Sequence, residues 1–192
     1  MTVKPHTPLG RLTGMGETRA TGFVNSVELS VISYATEDEE KVEEALLNLL
    51  PPGFDAKVTR QRLKGYYNDP ITRILVKVTK RKEARRVMRQ IVSLISTLDQ
   101  SRLLDEIEKR TDDAGSLYLR FEKQRALSGV AVLNEFDPVR VKIKFYVPHG
   151  EETDTFIRSV FEEGFSEATA SGGSTESSGS SSTSTWCPET QI

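Results

Sequence analysis

The chain has 192 residues, 36% of them hydrophobic, and a formal net charge of −2. That length supports one well-buried domain with additional segments at its ends and leaves little room for a second. One cysteine, Cys187, excludes a disulfide framework and a Cys-rich metal site; no window approaches a membrane span, and the N-terminus lacks the apolar core of a signal peptide, so the reading is a cytoplasmic chain without membrane association.

Charge is strongly segregated along the sequence. Between Lys57 and Gln90 stand twelve Lys and Arg against two acids, Asp69 and Glu83, while acid collects in Glu37–Glu44 and after Glu151. An acidic chain with such a block can still offer one face to a polyanion.

Residues 1–22 carry Pro5, Pro8, Gly10, Gly14, Gly16 and Gly22 with no periodicity, which predicts a flexible leader. No strand precedes its glycines and no Gly-Lys-Ser/Thr follows, so they do not form a phosphate loop. A first strand is predicted from about Ser26 to Tyr34. It runs into Thr36-Glu37-Asp38-Glu39, where Thr36 is placed to cap a helix and Glu39 to complete a capping box. Val42, Ala45, Leu46, Leu49 and Leu50 mark the buried side of that helix, and Pro51-Pro52-Gly53 ends it.

Strands at about 56–63 and 71–79 flank Gly65-Tyr66-Tyr67-Asn68-Asp69-Pro70, a predicted hairpin with two tyrosines at its tip and Arg62 and Lys64 beside them. Lys80 to Leu98 reads as one long amphipathic helix, with Ala84, Val87, Met88, Ile91, Val92, Ile95 and Leu98 facing inward. Its Lys80, Arg81, Lys82, Arg85, Arg86 and Arg89 form either a solvated face or a contact for such a polyanion. A shorter helix is predicted over Asp99–Arg110, with Leu103, Leu104 and Ile107 inside.

Then come a strand around Leu117–Phe121, a polar connection from Glu122 to Gly129, a short strand at Val130–Leu133, and the stretch Val139–Val147. This last stretch, VRVKIKFYV, is the clearest pattern in the chain. Val139, Val141, Ile143, Phe145 and Val147 alternate with Arg140, Lys142, Lys144 and Tyr146, so one face of the strand is apolar and the other cationic. A last helix, capped by Thr153, has an apolar stripe of Phe156, Ile157, Val160 and Phe161. Residues 167–192, rich in Ser, Thr and Gly and containing Trp186 and Cys187, predict a disordered tail. The folded domain is thus expected at 23–166.

The expected fold is an α+β arrangement: a single, largely antiparallel sheet with helices on one face. On the other face Arg73, Lys77, Arg120, Arg140, Lys142 and Lys144 gather with Tyr118 and Tyr146, a mixture suited to a polyanion with exposed bases. Acid clusters such as Asp99, Asp105, Glu106, Asp112 and Asp113 have turn and helix explanations, and His6 and His149 lie far apart, so neither a metal site, a cofactor nor acid–base chemistry is expected.

The motifs ATEDEEKVEEAL (35–46), GYYNDPI (65–71), LYLRFEKQ (117–124) and DPVRVKIKF (137–145) resemble archaeal RNA-binding proteins described as exosome-subunit-like. The resemblance covers about 26–147. It implies a fold similar to the ribosomal protein that binds 5S rRNA, and work in RNA processing, degradation or translation. The expected contacts are Arg62, Lys64, Tyr66, Tyr67, Asn68, Arg73, Lys77, Arg120, Lys123, Arg140, Lys142 and Lys144, with RNA as partner and exosome or ribosome-related proteins beside it. Members often carry an aromatic soon after the Lys-Gln pair; here Leu127 stands there. The alternatives are an endoribonuclease and a protein-binding subunit of an RNA-degrading assembly.

Overall fold

The structure is a computed structural model and describes residues 23–65 and 69–171. The leader, the hairpin tip Tyr66–Asn68, and the Ser-rich segment with Trp186 and Cys187 lie outside the described residues. The elements are β1 (Val24–Tyr34), α1 (Glu39–Leu47), β2 (Val58–Lys64), β3 (Pro70–Val78), α2 (Arg81–Leu94), α3 (Thr97–Arg110), β4 (Ser116–Glu122), α4 (Lys123–Leu127), β5 (Pro138–Phe145) and α5 (Thr153–Ser171). The boundary expected after residue 166 therefore falls inside α5.

The five strands form one sheet in the order β2-β3-β1-β5-β4, with every neighbouring pair antiparallel. Period-two alternation sets the faces. Val27, Leu29, Val31, Ile74, Val76, Leu117, Leu119, Val141 and Ile143 are buried at 1% exposure or less, and they meet Ala84, Val87, Met88 and Ile91 of α2, Leu103 and Ile107 of α3, and Ile157 and Phe161 of α5. Each large apolar side chain so buried contributes roughly 1.5–3 kcal/mol before its ordering entropy is subtracted. β1, not the strongly patterned β5, is the middle strand. β2 forms the exposed edge, where Arg60, Arg62 and Lys64 discourage pairing with another chain. The other edge is covered in part: Asp112 N–H donates to Ser116 O, Glu122 N–H to Val132 O and Asn134 N–H to Arg120 O.

Two helix starts differ from the expectation. Asp38, not Thr36, caps α1, its Oδ1 accepting from Glu40 N–H at 3.1 Å and Lys41 N–H at 3.4 Å. The expected long helix ends at Leu94 and not at Leu98: Ile95 is extended at ψ 126°, its neighbour Leu94 accepts from Ala131 N–H, and Ser96 Oγ caps the second helix, expected from Asp99, through Asp99 N–H at 3.3 Å. The break turns Leu98 out to 86% exposure, where a continuous helix would have buried it. The short strand expected at 130–133 is reduced to isolated bridges, Ile95 with Ala131 and Phe121 with Leu133, and the polar connection before it contains α4.

Gly115 is a site where a side chain is excluded. Its φ of +75° is left-handed, and a Cβ there would lie 3.3 Å from both Phe145 O and Val147 Cγ2. The turn it makes sets β4 against the end of β5.

Candidate nucleic-acid interface

The face of the sheet opposite the core is built from cross-strand rows, because residues paired in register stand side by side on the same face. One row runs Lys77, Glu28, Lys142, Tyr118 across β3, β1, β5 and β4. The next runs Leu75, Ser30, Arg140, Arg120, and on the other side of the first lie Ser26, Lys144 and Ser116. Between β2 and β4 these residues form an open hollow of about 550 Å³, lined by Glu28, Ile32, Leu63, Arg73, Arg120 and Arg140 among others. Residues from strands far apart in sequence thus share one surface.

Its cations fall into two kinds. Arg73 and Lys77 both lean on Glu28, at 3.7 and 3.8 Å, so this carboxylate, unremarked in the sequence, neutralises part of the face from its centre. Arg120 is held by Glu135, which also accepts from Arg110 at 2.8 Å. Lys142 lies 4.9 Å over the Tyr118 ring. The Tyr118 hydroxyl next to it, with Asp112 and Glu28 nearby, raises its pKa above the ordinary lysine value against partial desolvation. Tyr118 donates its own hydroxyl to Asp112 at 2.9 Å, which leaves the phenol positioned rather than free. Arg140 and Lys144 are exposed and, among the described residues, have no carboxylate within ion-pair distance.

Arg120 and Arg140 are also directly opposed across β4 and β5. Like charges in that position destabilise a sheet, by a few tenths of a kcal/mol to about 1. Glu135, bound to Arg120, offsets part of this repulsion, and the rest is left on a face that no helix covers. An anion bound there would relieve it.

The register separates the other expected contacts from this face. Arg60, Arg62 and Lys64 pair with Ile74, Thr72 and Pro70, on the helix side of the hairpin. Arg60 is accordingly bound by Glu43 at 2.6 Å, and Arg62 lines a second hollow with Tyr34, Glu37 and Glu39. Lys123 departs furthest from the expectation. It is 7% exposed, its ammonium 2.9 Å from Glu37, 2.7 Å from Asp137 and 5.1 Å from the Tyr34 ring centre. A buried ammonium with two carboxylate partners ties α4, the end of β1 and the start of β5 together, so it is a strut of the fold and not a free phosphate contact. Tyr66, Tyr67 and Asn68 lie outside the described residues.

A second basic surface is the outer side of α2. Lys82, Arg86 and Arg89 recur at helical spacing and are exposed, on the far side of the sheet from Arg140 and Lys144 because the opposite stripe of the same helix packs into the core. Among the described residues no three His, Cys, Asp or Glu side chains converge to hold a metal ion, and no helix is long and apolar enough to cross a membrane.

One exposed aromatic was missed. Phe136, 84% exposed, stands in the turn before β5. The available signal was an aromatic amid Asn134, Glu135, Asp137 and Pro138, where no apolar periodicity offers it a place inside.

Comparison with known proteins places this surface in context. An RNA-binding protein of Pyrococcus abyssi is 28% identical over 144 residues, covering 72% of this chain and 94% of that protein. An uncharacterized protein of Methanocaldococcus jannaschii is 34% identical over 138 residues, covering 68% and 91%. A solved structure from Methanothermobacter thermautotrophicus is similar with a TM-score of 0.55 at 31% identity, over 76% of this chain and 98% of that one. A family profile described as RNA binding matches residues 26–145, the sheet from β1 to β5 apart from the first two residues of β1. The chain belongs to this RNA-binding family, which has archaeal members.

Proposed function

We propose that this protein is a non-catalytic RNA-binding protein that grips structured RNA through the helix-free face of its sheet. The observation that carries the reading is the opposed pair Arg120 and Arg140, flanked by Lys142 and Lys144, on a surface with no helix over it. With their backbone already fixed on paired strands, these cations have only side-chain freedom left to lose, which suits contacts to phosphate and ribose. Arg140 and Lys144 supply net attraction. Arg73, Lys77 and Arg120 are oriented by their carboxylates and exchange those partners for phosphate on binding. Arg62 and Lys64, on the helix side of the sheet, reach a different segment of the RNA.

The work proposed for it is RNA processing or degradation in association with an exosome, or a ribosome-related task, in the cytoplasm. The motif resemblance supports that setting, and the Pyrococcus relative's name as an RNA-binding protein supports the RNA partner alone. The test is crosslinking in cells followed by sequencing of the attached RNA and mapping of the crosslinked peptides. One class of structured RNA, attached through β4 and β5, is the expected result. Crosslinks to α2 alone, or cleavage of the bound RNA by the purified protein, would replace this reading with another surface or with a nuclease.

A further inference from the structure

In the turn from Asn134 to Asp137 every side chain except one is held. Asn134 N–H donates to Arg120 O at 3.0 Å, and Asn134 Oδ1 accepts from Phe136 N–H at 3.0 Å. Glu135 is fastened to Arg110 and Arg120. Asp137 is bound to the buried Lys123 at 2.7 Å and adopts φ +42°, a left-handed conformation that is uncommon for a residue with a side chain. Pro138 then fixes the chain as it enters β5. The side chain left over is Phe136, whose ring is 84% exposed.

Such an arrangement is costly for a loop that only joins two elements. It sets an Asp left-handed and buries a Lys, and the result is a benzyl group presented to solvent on a backbone bonded on both sides. Its neighbours define the partner. Glu135 on one side orients Arg120, and Pro138 on the other lines the cationic hollow together with Arg120 and Arg140. An aromatic ring on the turn whose Glu135 orients Arg120 and which leads into Arg140 is placed to meet one half of a nucleotide, the flat base, while those guanidinium groups meet the other, the phosphate.

We propose that Phe136 is a stacking platform for one unpaired base of the bound RNA, placed beside the phosphate contacts of Arg120 and Arg140. This deepens the function proposed above and rests on it, and it narrows the ligand to RNA with an unpaired nucleotide, because bases inside a duplex do not expose their faces to a ring. Lys123, Asp137 and Glu135 act as positioning residues that hold the turn.

The experiment compares a short RNA stem-loop with a blunt duplex of the same stem sequence, using wild type, Phe136→Ala, Phe136→Leu and Phe136→Trp. Loss of one base–aromatic stack should weaken stem-loop binding by roughly 5- to 150-fold in the Ala and Leu variants, leave duplex binding and the salt dependence unchanged, and spare the Trp variant. In a Trp186→Phe background, fluorescence of the introduced indole should be quenched by the stem-loop and not by the duplex. Equal loss on both RNAs, full affinity in the Leu variant, or unchanged affinity in the Ala variant would each overturn the proposal. An Arg140→Gln/Lys144→Gln variant run in parallel tests the sheet face itself. Should that variant bind normally while Phe136→Ala does not, the sheet reading fails and the stacking assignment stands.

Discussion

Replacing Arg140 and Lys144 together with Gln removes two exposed cations that have no ion-pair partner among the described residues. Each phosphate contact contributes a slope of about 0.7–0.9 to log affinity against log salt, so the double variant should lose about 1.4–1.8 from that slope. At 0.1 M salt, relative to 1 M, the same two contacts are worth about 1.4–1.8 log units, or roughly 25- to 60-fold in affinity. Stability should move the other way, or not at all. Arg140 faces Arg120 across the ladder, so its removal relieves like-charge repulsion worth a few tenths of a kcal/mol, and surface changes otherwise stay within about 0.5 kcal/mol. Fluorescence anisotropy with a structured RNA across a salt series, paired with urea unfolding, measures both. As an internal contrast, Arg73→Gln/Lys77→Gln should reduce the slope less, because Glu28 already partly neutralises those cations. An unchanged slope in the first variant refutes the assignment of the sheet face and directs attention to the outer side of α2.

Glu28→Gln should raise RNA affinity severalfold and steepen its salt dependence, since it releases Arg73 and Lys77; anisotropy at two salt concentrations reads this. Lys123→Ala should lower unfolding free energy by about 1–3 kcal/mol, because the ammonium is buried against Glu37 and Asp137, while the salt slope of the folded protein stays as in wild type. Glu106 is held below the usual carboxylate pKa by Arg110 and Arg102; Glu135 and Asp112 are also lowered, their hydrogen bonds and neighbouring cations outweighing the desolvation that pushes them up. Groups depressed in the folded state stabilise it fully above their unfolded pKa of about 4, so the urea midpoint should be flat at neutral pH and fall as acid titrates through the lower folded values. A Glu106→Gln/Glu135→Gln variant should show a shallower acid dependence, and an identical one would exclude this network as its source.

The sequence by itself determined which residues of each strand face the core. Val139 to Phe145 could alternate only as a strand with a cationic face, and the apolar stripes of α1, α2 and α5 could be covered only by packing on the other side of the same sheet. Segregation of twelve cations within Lys57–Gln90 likewise made a polyanion partner legible without any fold. Periodicity is local, however, and it is silent about what stands across a ladder. Only the tertiary structure set Glu28 between Lys77 and Lys142, opposed Arg120 to Arg140, and turned Arg62 and Lys64 to the helix side through the pairing of β2 with β3. The helix boundary, expected after Leu98 and found at Ile95, was misplaced for a related reason: the apolar stripe runs through it, while the Ser96-Thr97-Leu98-Asp99 cap becomes decisive once Leu94 and Asp99 accept from Ala131 and Leu133. Lys123 is the sharpest case. As one basic residue among many it reads as a phosphate contact, and only the convergence of Glu37 and Asp137, 86 and 14 positions away, buries it and makes it hold the turn that presents Phe136.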